Sequence, residues 1–138
     1  MRDEYDAVFI GAGLGDVRSL DIDGESLGNV QDAVEFISSL RQAENLADLE
    51  VGSNVVVIGG GMTAIDAAVQ SKLLGAHDVT VVYRRSMEEM PASLYEQELA
   101  KSKGVKFIYN SRPVQIVGSE GISSIKFQNT QHLSLIHI

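Results

Sequence analysis

Val55-Val-Val-Ile-Gly-Gly-Gly-Met-Thr-Ala64 is the stretch that decides the fold. Four consecutive β-branched residues without polar alternation make a strand buried on both faces, which predicts a parallel strand with helices covering each side. Gly59-Gly-Gly61 breaks the strand, and Ile65, Ala68, Val69 and Leu73 then follow at helical spacing. Small Ala64 and Ala67 stand where a helix can lie close to a sheet, and Gly75 is suited to stop that helix. Val79-Thr-Val-Val-Tyr83 is the next strand. Strand, glycine turn, helix and strand occupy about 30 residues, the size of one right-handed βαβ crossover.

Within that unit Gly59, Gly61 and Ala64 satisfy G-x-G-x-x-A, and the three positions have separate duties. The first permits a tight turn, the second lets backbone approach a pyrophosphate, and the third keeps helix against strand. Free N–H groups at the helix start and the positive end of its dipole then face a diphosphate. Thr63 in the first turn can add a hydroxyl. The expected contact set for a nicotinamide dinucleotide is therefore Gly59, Gly60, Gly61, Met62, Thr63 and Ala64. The strand before and the helix after supply the context that a lone glycine motif lacks.

The choice between NADPH and NADH is usually read at the end of the second strand, where a carboxylate would bind the adenosine ribose. Tyr83-Arg84-Arg85 stands there instead. Guanidinium groups can take a 2′-phosphate in paired, charge-assisted hydrogen bonds, which favours NADPH, whereas two solvated arginines closing a strand are the bland alternative. Asp66 has two readings, helix-dipole stabilisation and contact with a ribose. Glu88, Glu89, Glu96 and Glu98 read as a solvated acidic face, and no catalytic residue is assigned. Tyr-x-x-x-Lys is not met at Tyr83 or Tyr95, which disfavours a short-chain dehydrogenase.

Outward from the central unit, Ala7-Val-Phe-Ile10 reads as a buried strand ending in the glycine turn Gly11-Ala-Gly-Leu-Gly15, and Asp21 to Asn29 as hinge chemistry. Ala33, Val34, Phe36, Ile37 and Leu40 predict an amphipathic helix from Asp32 to about Glu44. Pro91 is expected to open a helix carried by Leu94, Tyr95 and Leu99 to about Ser102, with Gly104 ending it. Val105 to Tyr109 reads as a third parallel strand, and Val114 to Val117 with Ile122 to Phe127 as a hairpin. The fold class is α/β: a Rossmann-like parallel sheet with a βαβ dinucleotide-binding unit and a β-hairpin. Residues 129–138 fit no element and resemble translated adapter sequence, so a non-native tail is expected there.

With 138 residues, one core is expected; a net charge of -8 argues against nucleic acid, whose sequence-independent affinity comes from Lys and Arg. The absence of cysteine removes disulfides, thiolate zinc and iron–sulfur ligation from this chain, and no metal constellation is expected. No apolar run approaches the roughly 18 residues of a membrane span, and the charged start lacks a signal peptide's apolar stretch. The expectation is a cytoplasmic protein without a membrane partner.

Tyr5-Asp-Ala-Val-Phe-Ile-Gly-Ala-Gly13, Gly24-Glu25, Gly59 to Asp66, Val82-Tyr-Arg-Arg85 and Glu89-Met-Pro91 together resemble the small-subunit family of glutamate synthase. Within it they look most like the small subunits of bacterial NAD-linked dihydropyrimidine dehydrogenase. That resemblance implies an FAD domain split around an inserted NAD(P)H domain. Residues 1–30 would be the exit strand and hinge of a truncated FAD domain, with Gly11, Ala12 and Gly13 as candidate FAD contacts, and residues 31–128 the NAD(P)H-binding domain. It implies FAD in a full-length parent, hydride passing from NAD(P)H to FAD, and electrons moving on to an accepting partner subunit. The fragment alone is expected to bind nucleotide without turnover. Glu88, Glu89 and Pro91 stand where some NADPH-using members carry another basic residue, so NADPH and NADH both stay open. The rival reading is a nucleotide-binding or assembly module with no redox role.

Overall fold

The computed structural model describes residues 2–4, 7–11, 30–42, 53–118 and 122–129. The expected hinge at 21–29 lies outside the described residues, as does the expected tail at 129–138 except for Asn129, which pairs with Ser111 as the last residue of a strand and so corrects the start of that tail. In chain order the elements are β1 (Arg2–Glu4), β2 (Ala7–Ile10), β3 (Val30–Asp32), α1 (Ala33–Gln42), β4 (Asn54–Ile58), α2 (Met62–Leu73), β5 (Asp78–Val82), α3 (Leu94–Ser102), β6 (Lys106–Ile108), β7 (Ser111–Gly118) and β8 (Ile122–Asn129).

Five of the strands form a parallel sheet in the order β3-β2-β4-β5-β6. The remaining three form an antiparallel sheet, β1-β8-β7. Side chains of a strand alternate between faces, and here the alternation divides two cores. Phe9, Val55, Val57, Val79 and Val81 meet Ala33, Phe36, Ala64, Ile65, Ala67 and Ala68 on the helical side. Val8, Ile10, Val56, Ile58 and Val82 meet Ile116, Ile125 and Phe127 of the antiparallel sheet on the other. The molecule is thus layered helix, parallel sheet, antiparallel sheet. This corrects the expectation of helices on both faces of β4: an unbroken apolar strand requires two covers, but a sheet satisfies that requirement as well as helices do.

Ala7–Ile10, which on sequence alone has no evident sheet, is paired on both edges, with β3 and with β4. Phe9 stacks on Phe36 with ring centroids 4.2 Å apart, tying this strand to α1. Helix α2 buries Ala64, Ile65, Ala67, Ala68 and Ser71, so its flat small-residue face lies against the sheet. The hydroxyl of Ser71 is satisfied by the Ala67 carbonyl at 2.7 Å.

Helix α3 departs from expectation twice. It starts at Leu94, three residues after Pro91, because the Ser93 hydroxyl accepts the Glu96 N–H at 3.2 Å and caps it. Its inward residues are Gln97 and Ala100, while Leu94, Tyr95 and Leu99 are 51%, 73% and 42% exposed. The apolar residues expected to anchor the helix face outward, and an amide does the anchoring. At the far edge, Lys106 of β6 bonds Asp78 of β5 at 3.0 Å, which holds the Asp78 carboxyl below its ordinary value. The expected hairpin is present as β7 and β8 and is longer at both ends, with register shifts at Pro113/Gln115 and Val117/Gly118.

Candidate functional site

From β2 the chain goes to β3 on one side of the sheet, and from β4 it goes to β5 on the other. The carboxyl ends of β2 and β4 therefore flank a topological switch point, the place where open parallel sheets accept ligands. Gly11 and Gly59 stand side by side there. Ile10 is opposite Ile58, the Gly11 N–H donates to the Ile58 carbonyl at 2.8 Å, and the Gly59 N–H donates to the Val82 carbonyl at 3.1 Å.

The three consecutive glycines meet different constraints. Gly59 has φ +141, and a Cβ on it would collide with the carbonyl oxygen of Gly11 and stand 2.7 Å from its carbonyl carbon. Glycine is required there by conformation and by space. A Cβ on Gly60 would lie 2.6 Å from Cδ1 of Tyr83 and 3.1 Å from Cγ of Met90, so this glycine lets an aromatic ring close over the turn. Around Gly61 no atom of the described residues stands within 4 Å of the corresponding position, although its φ of -89 and ψ of 179 suit any residue. Packing and conformation impose no demand for glycine at 61, which leaves room outside the fold.

Gly61 is the N-cap of α2, and among the described residues no side chain caps this helix; its first turn carries no carboxylate. A helix start leaves N–H groups without intrahelical partners, and together with the dipole they favour an anion. The other two helix starts at this edge of the sheet are provided for. Asp32 Oδ1 accepts the Val34 N–H at 2.7 Å beside α1, and Ser93 caps α3. Ala64, the third motif position, is fully buried, and a Cβ on Gly11 would lie 3.3 Å from that of Ala64 and 3.4 Å from that of Ala33. Small side chains at all three places bring two helices and β2 together under the turn. Met62 is exposed and Thr63 half-buried in the first turn of α2, and Asp66 is exposed.

Tyr83 links this turn to the end of β5. Its hydroxyl donates to the Glu89 carbonyl at 3.2 Å, and its backbone is held by Ile108 and Ser111. Arg84 and Arg85 follow, both exposed. Arg85 lies 3.7 Å from the Glu89 carboxylate, whose other oxygen accepts from the Ser86 hydroxyl at 3.0 Å and the Ser86 N–H at 3.4 Å. Glu89 is exposed, as expected of a solvated face, and is engaged with its own loop as well. Of the candidate FAD contacts, Gly11 stands beside Gly59, while Ala12 and Gly13 lie outside the described residues.

Sequence reasoning missed the support beneath the loop. The Ala92 N–H donates to the Gly60 carbonyl at 3.0 Å, and buried Met90 packs on the same turn. Gln97 holds that segment from below: its amide donates to the carbonyls of Met87 and Ala92 at 3.1 and 3.0 Å and accepts the Tyr109 hydroxyl at 2.6 Å. Burial pushes the Tyr109 hydroxyl above its ordinary pKa, consistent with its role as a donor. The spacing Ser93-x-x-Glu96 was a legible capping signal; nothing local marks Gln97 as buried. Among the described residues no cluster of His, Asp and Glu suits a metal ion, and no helix is long and apolar enough to cross a membrane.

The layered fold and its glycine turn are those of the FAD/NAD(P)-binding α/β domains. Thioredoxin reductase of Lactococcus lactis shares this fold, with a TM-score of 0.59 and 24% identity over 91% of this chain and 39% of that one. The chain belongs to the pyridine nucleotide-disulphide oxidoreductase family, which it matches over residues 1–135, and this family uses FAD and NAD(P)H. Its relatives include the glutamate synthase [NADPH] small chain of Halomonas elongata, 36% identical over 95% of this chain and 29% of the relative. They also include the NADPH-Fe(3+) oxidoreductase subunit beta of Geobacter sulfurreducens, 34% identical over 87% of this chain and 18% of the relative. The chain spans less than a third of the length of these two proteins.

Proposed function

We propose that this chain is the NAD(P)H-binding module of a flavin-dependent oxidoreductase. The observation that carries the reading is the start of α2, uncapped by any described side chain and preceded by Gly61, whose Cβ direction meets no described atom at the switch point. The backbone of Gly59, Gly60 and Gly61 and the first-turn residues Met62, Thr63 and Ala64 would hold the diphosphate. Arg84 and Arg85 would meet the adenosine end, where their charge favours a 2′-phosphate. Bound NAD(P)H would supply a hydride for FAD. The chain's own part is to bind and orient: Gly59 sets the turn, Tyr83 and Met90 close over Gly60, and Gln97 keeps that cover in place.

The names of the two curated relatives support NADPH, and their description as a small chain and a beta subunit supports an electron-accepting partner subunit. The parent would be of glutamate synthase or dihydropyrimidine dehydrogenase type, working in the cytoplasm. In that parent, residues 1–30 would lead out of an FAD domain, with Gly11, Ala12 and Gly13 near the flavin nucleotide. Residues 31–129 would form the NAD(P)H domain, one residue longer than the sequence suggests because Asn129 closes β8, and 130–138 a non-native tail, and the isolated chain would bind nucleotide without turnover.

Gly61→Val tests the reading. A valine is compatible with the backbone and its Cβ meets no described atom within 4 Å, so the variant is expected to fold, at a cost of about 1 kcal/mol for the poorer N-cap, while losing NADPH and NADH binding in calorimetry. Undiminished affinity in the folded variant would show that the nucleotide lies elsewhere.

A further inference from the structure

Glu89 is held more firmly than an exposed loop carboxylate needs to be. Its backbone carbonyl accepts the Tyr83 hydroxyl, one carboxylate oxygen accepts both the hydroxyl and the N–H of Ser86, and the other faces Arg85 at 3.7 Å. A backbone N–H, a hydroxyl and a guanidinium are the donor set that a phosphate monoester would take. They converge at the end of β5, one residue beyond Arg84. The loop therefore contains an anion subsite occupied by the chain's own carboxylate.

We propose that Glu89 is an internal competitor for the 2′-phosphate of NADPH, and that its displacement from Arg85 and Ser86 sets how strongly the module prefers NADPH to NADH. The proposal rests on the nucleotide reading given above and concerns only the adenosine 2′ position. Two effects act in the same direction. The pair must open before Arg85 can grip the phosphate, and a carboxylate left nearby repels the incoming anion. Both are limited by solvent, because the two side chains are 57% and 55% exposed, so the competition is mild and reversible. A dinucleotide with a free 2′-hydroxyl meets neither effect. Glu89 thus narrows the difference between the two cofactors while the arginines widen it, which accounts for a basic strand end followed at once by acidic residues.

The test uses the whole chain and two probes that lack the nicotinamide end, adenosine 2′,5′-bisphosphate and adenosine 5′-monophosphate, measured by calorimetry. Glu89→Gln keeps the acceptor for Ser86 and removes the charge. It is expected to tighten the bisphosphate about fivefold at low salt and to move the monophosphate by less than about twofold. In an Arg85→Ala background the gain shrinks, because only the direct repulsion is then relieved. Circular dichroism verifies that each variant is folded, and Glu89→Ala, which removes the whole carboxylate, gives an independent reading of the same charge effect. Unchanged or weaker bisphosphate binding by both Glu89 variants, with the monophosphate still bound, overturns the competitor role and leaves the nucleotide site standing. A gain of equal size without Arg85 also overturns it. Failure of wild type and variants to bind either probe overturns the nucleotide reading, and this proposal with it.

Discussion

Helix α3 begins on an acceptor of its own: the Ser93 hydroxyl takes the Glu96 N–H, and Glu96 places a carboxylate in the first turn. Helix α2 begins on a glycine, with no side-chain acceptor and no first-turn carboxylate. Both helices follow strands of one parallel sheet and start at the same edge, so the difference is not one of position in the fold. Capping at α3 contributes stability and closes that end to ligands. At α2 no described side chain takes the corresponding N–H groups, which gives up a cap's stabilisation and leaves donors for the anion site proposed here. A helix start that a fold could have satisfied, and did not, is a sign of binding when it coincides with a switch point and open space. The glycines sharpen the contrast: Gly59 and Gly60 are required by neighbouring atoms, whereas Gly61 is required by none within the chain.

The largest effect is expected from Gly59→Ala. A side chain there meets the Gly11 backbone at a positive φ, and the cost should exceed about 3 kcal/mol in urea denaturation. A loss below 1 kcal/mol, on the order of an ordinary surface change, would mean that β2 does not lie against β4. Next comes Gly61→Asp, which gives α2 the cap it lacks. Stability should hold or rise by a few tenths of a kcal/mol, while NADPH affinity should fall by at least about a hundredfold as the carboxylate takes the place of the diphosphate. Parallel changes in stability and affinity would break the contrast drawn here.

Gln97→Leu is expected to cost about 2 kcal/mol, because the Tyr109 hydroxyl and two loop carbonyls lose a buried partner. It should also weaken nucleotide binding by loosening the segment that bonds Gly60, which calorimetry would register. The smallest effect belongs to Ser93→Ala, a loss of about 1 kcal/mol from the α3 cap with nucleotide affinity unchanged. A drop in affinity there would show that the two helix starts are coupled.

Much of the candidate site is readable in local sequence because its chemistry is local. A strand, a glycine turn and a helix start are consecutive residues, and Gly59, Gly61 and Ala64 act at positions set by the chain itself. The helical side of the core was legible at Ala33, Phe36, Ile65 and Ala68 for the same reason, since 3.6-residue spacing records one buried face. The orientation of α3 was not legible. Leu94, Tyr95 and Leu99 are the apolar residues of that segment, yet Gln97 is buried because carbonyls of Met87 and Ala92 and the hydroxyl of Tyr109 converge on it. Those partners come from a preceding loop and the end of the following strand, and no spacing rule brings them together. The second cover of β4 was hidden likewise: Val56 and Ile58 announce that something covers them, and Ile116, Ile125 and Phe127 do so only once β7 and β8 have paired.

By itself the sequence determined that residues 55–83 form a βαβ unit with a glycine turn before its helix, since β-branching, glycine placement and helical period are properties of adjacent residues. The tertiary structure decided which glycines serve the fold and which leaves space for a ligand, for that depends on the Gly11 carbonyl and the Tyr83 ring approaching from other elements. It also decided that Glu89 stands against Arg85 and Ser86, because a carboxylate's partners are chosen by how a loop folds back and not by its place in the chain.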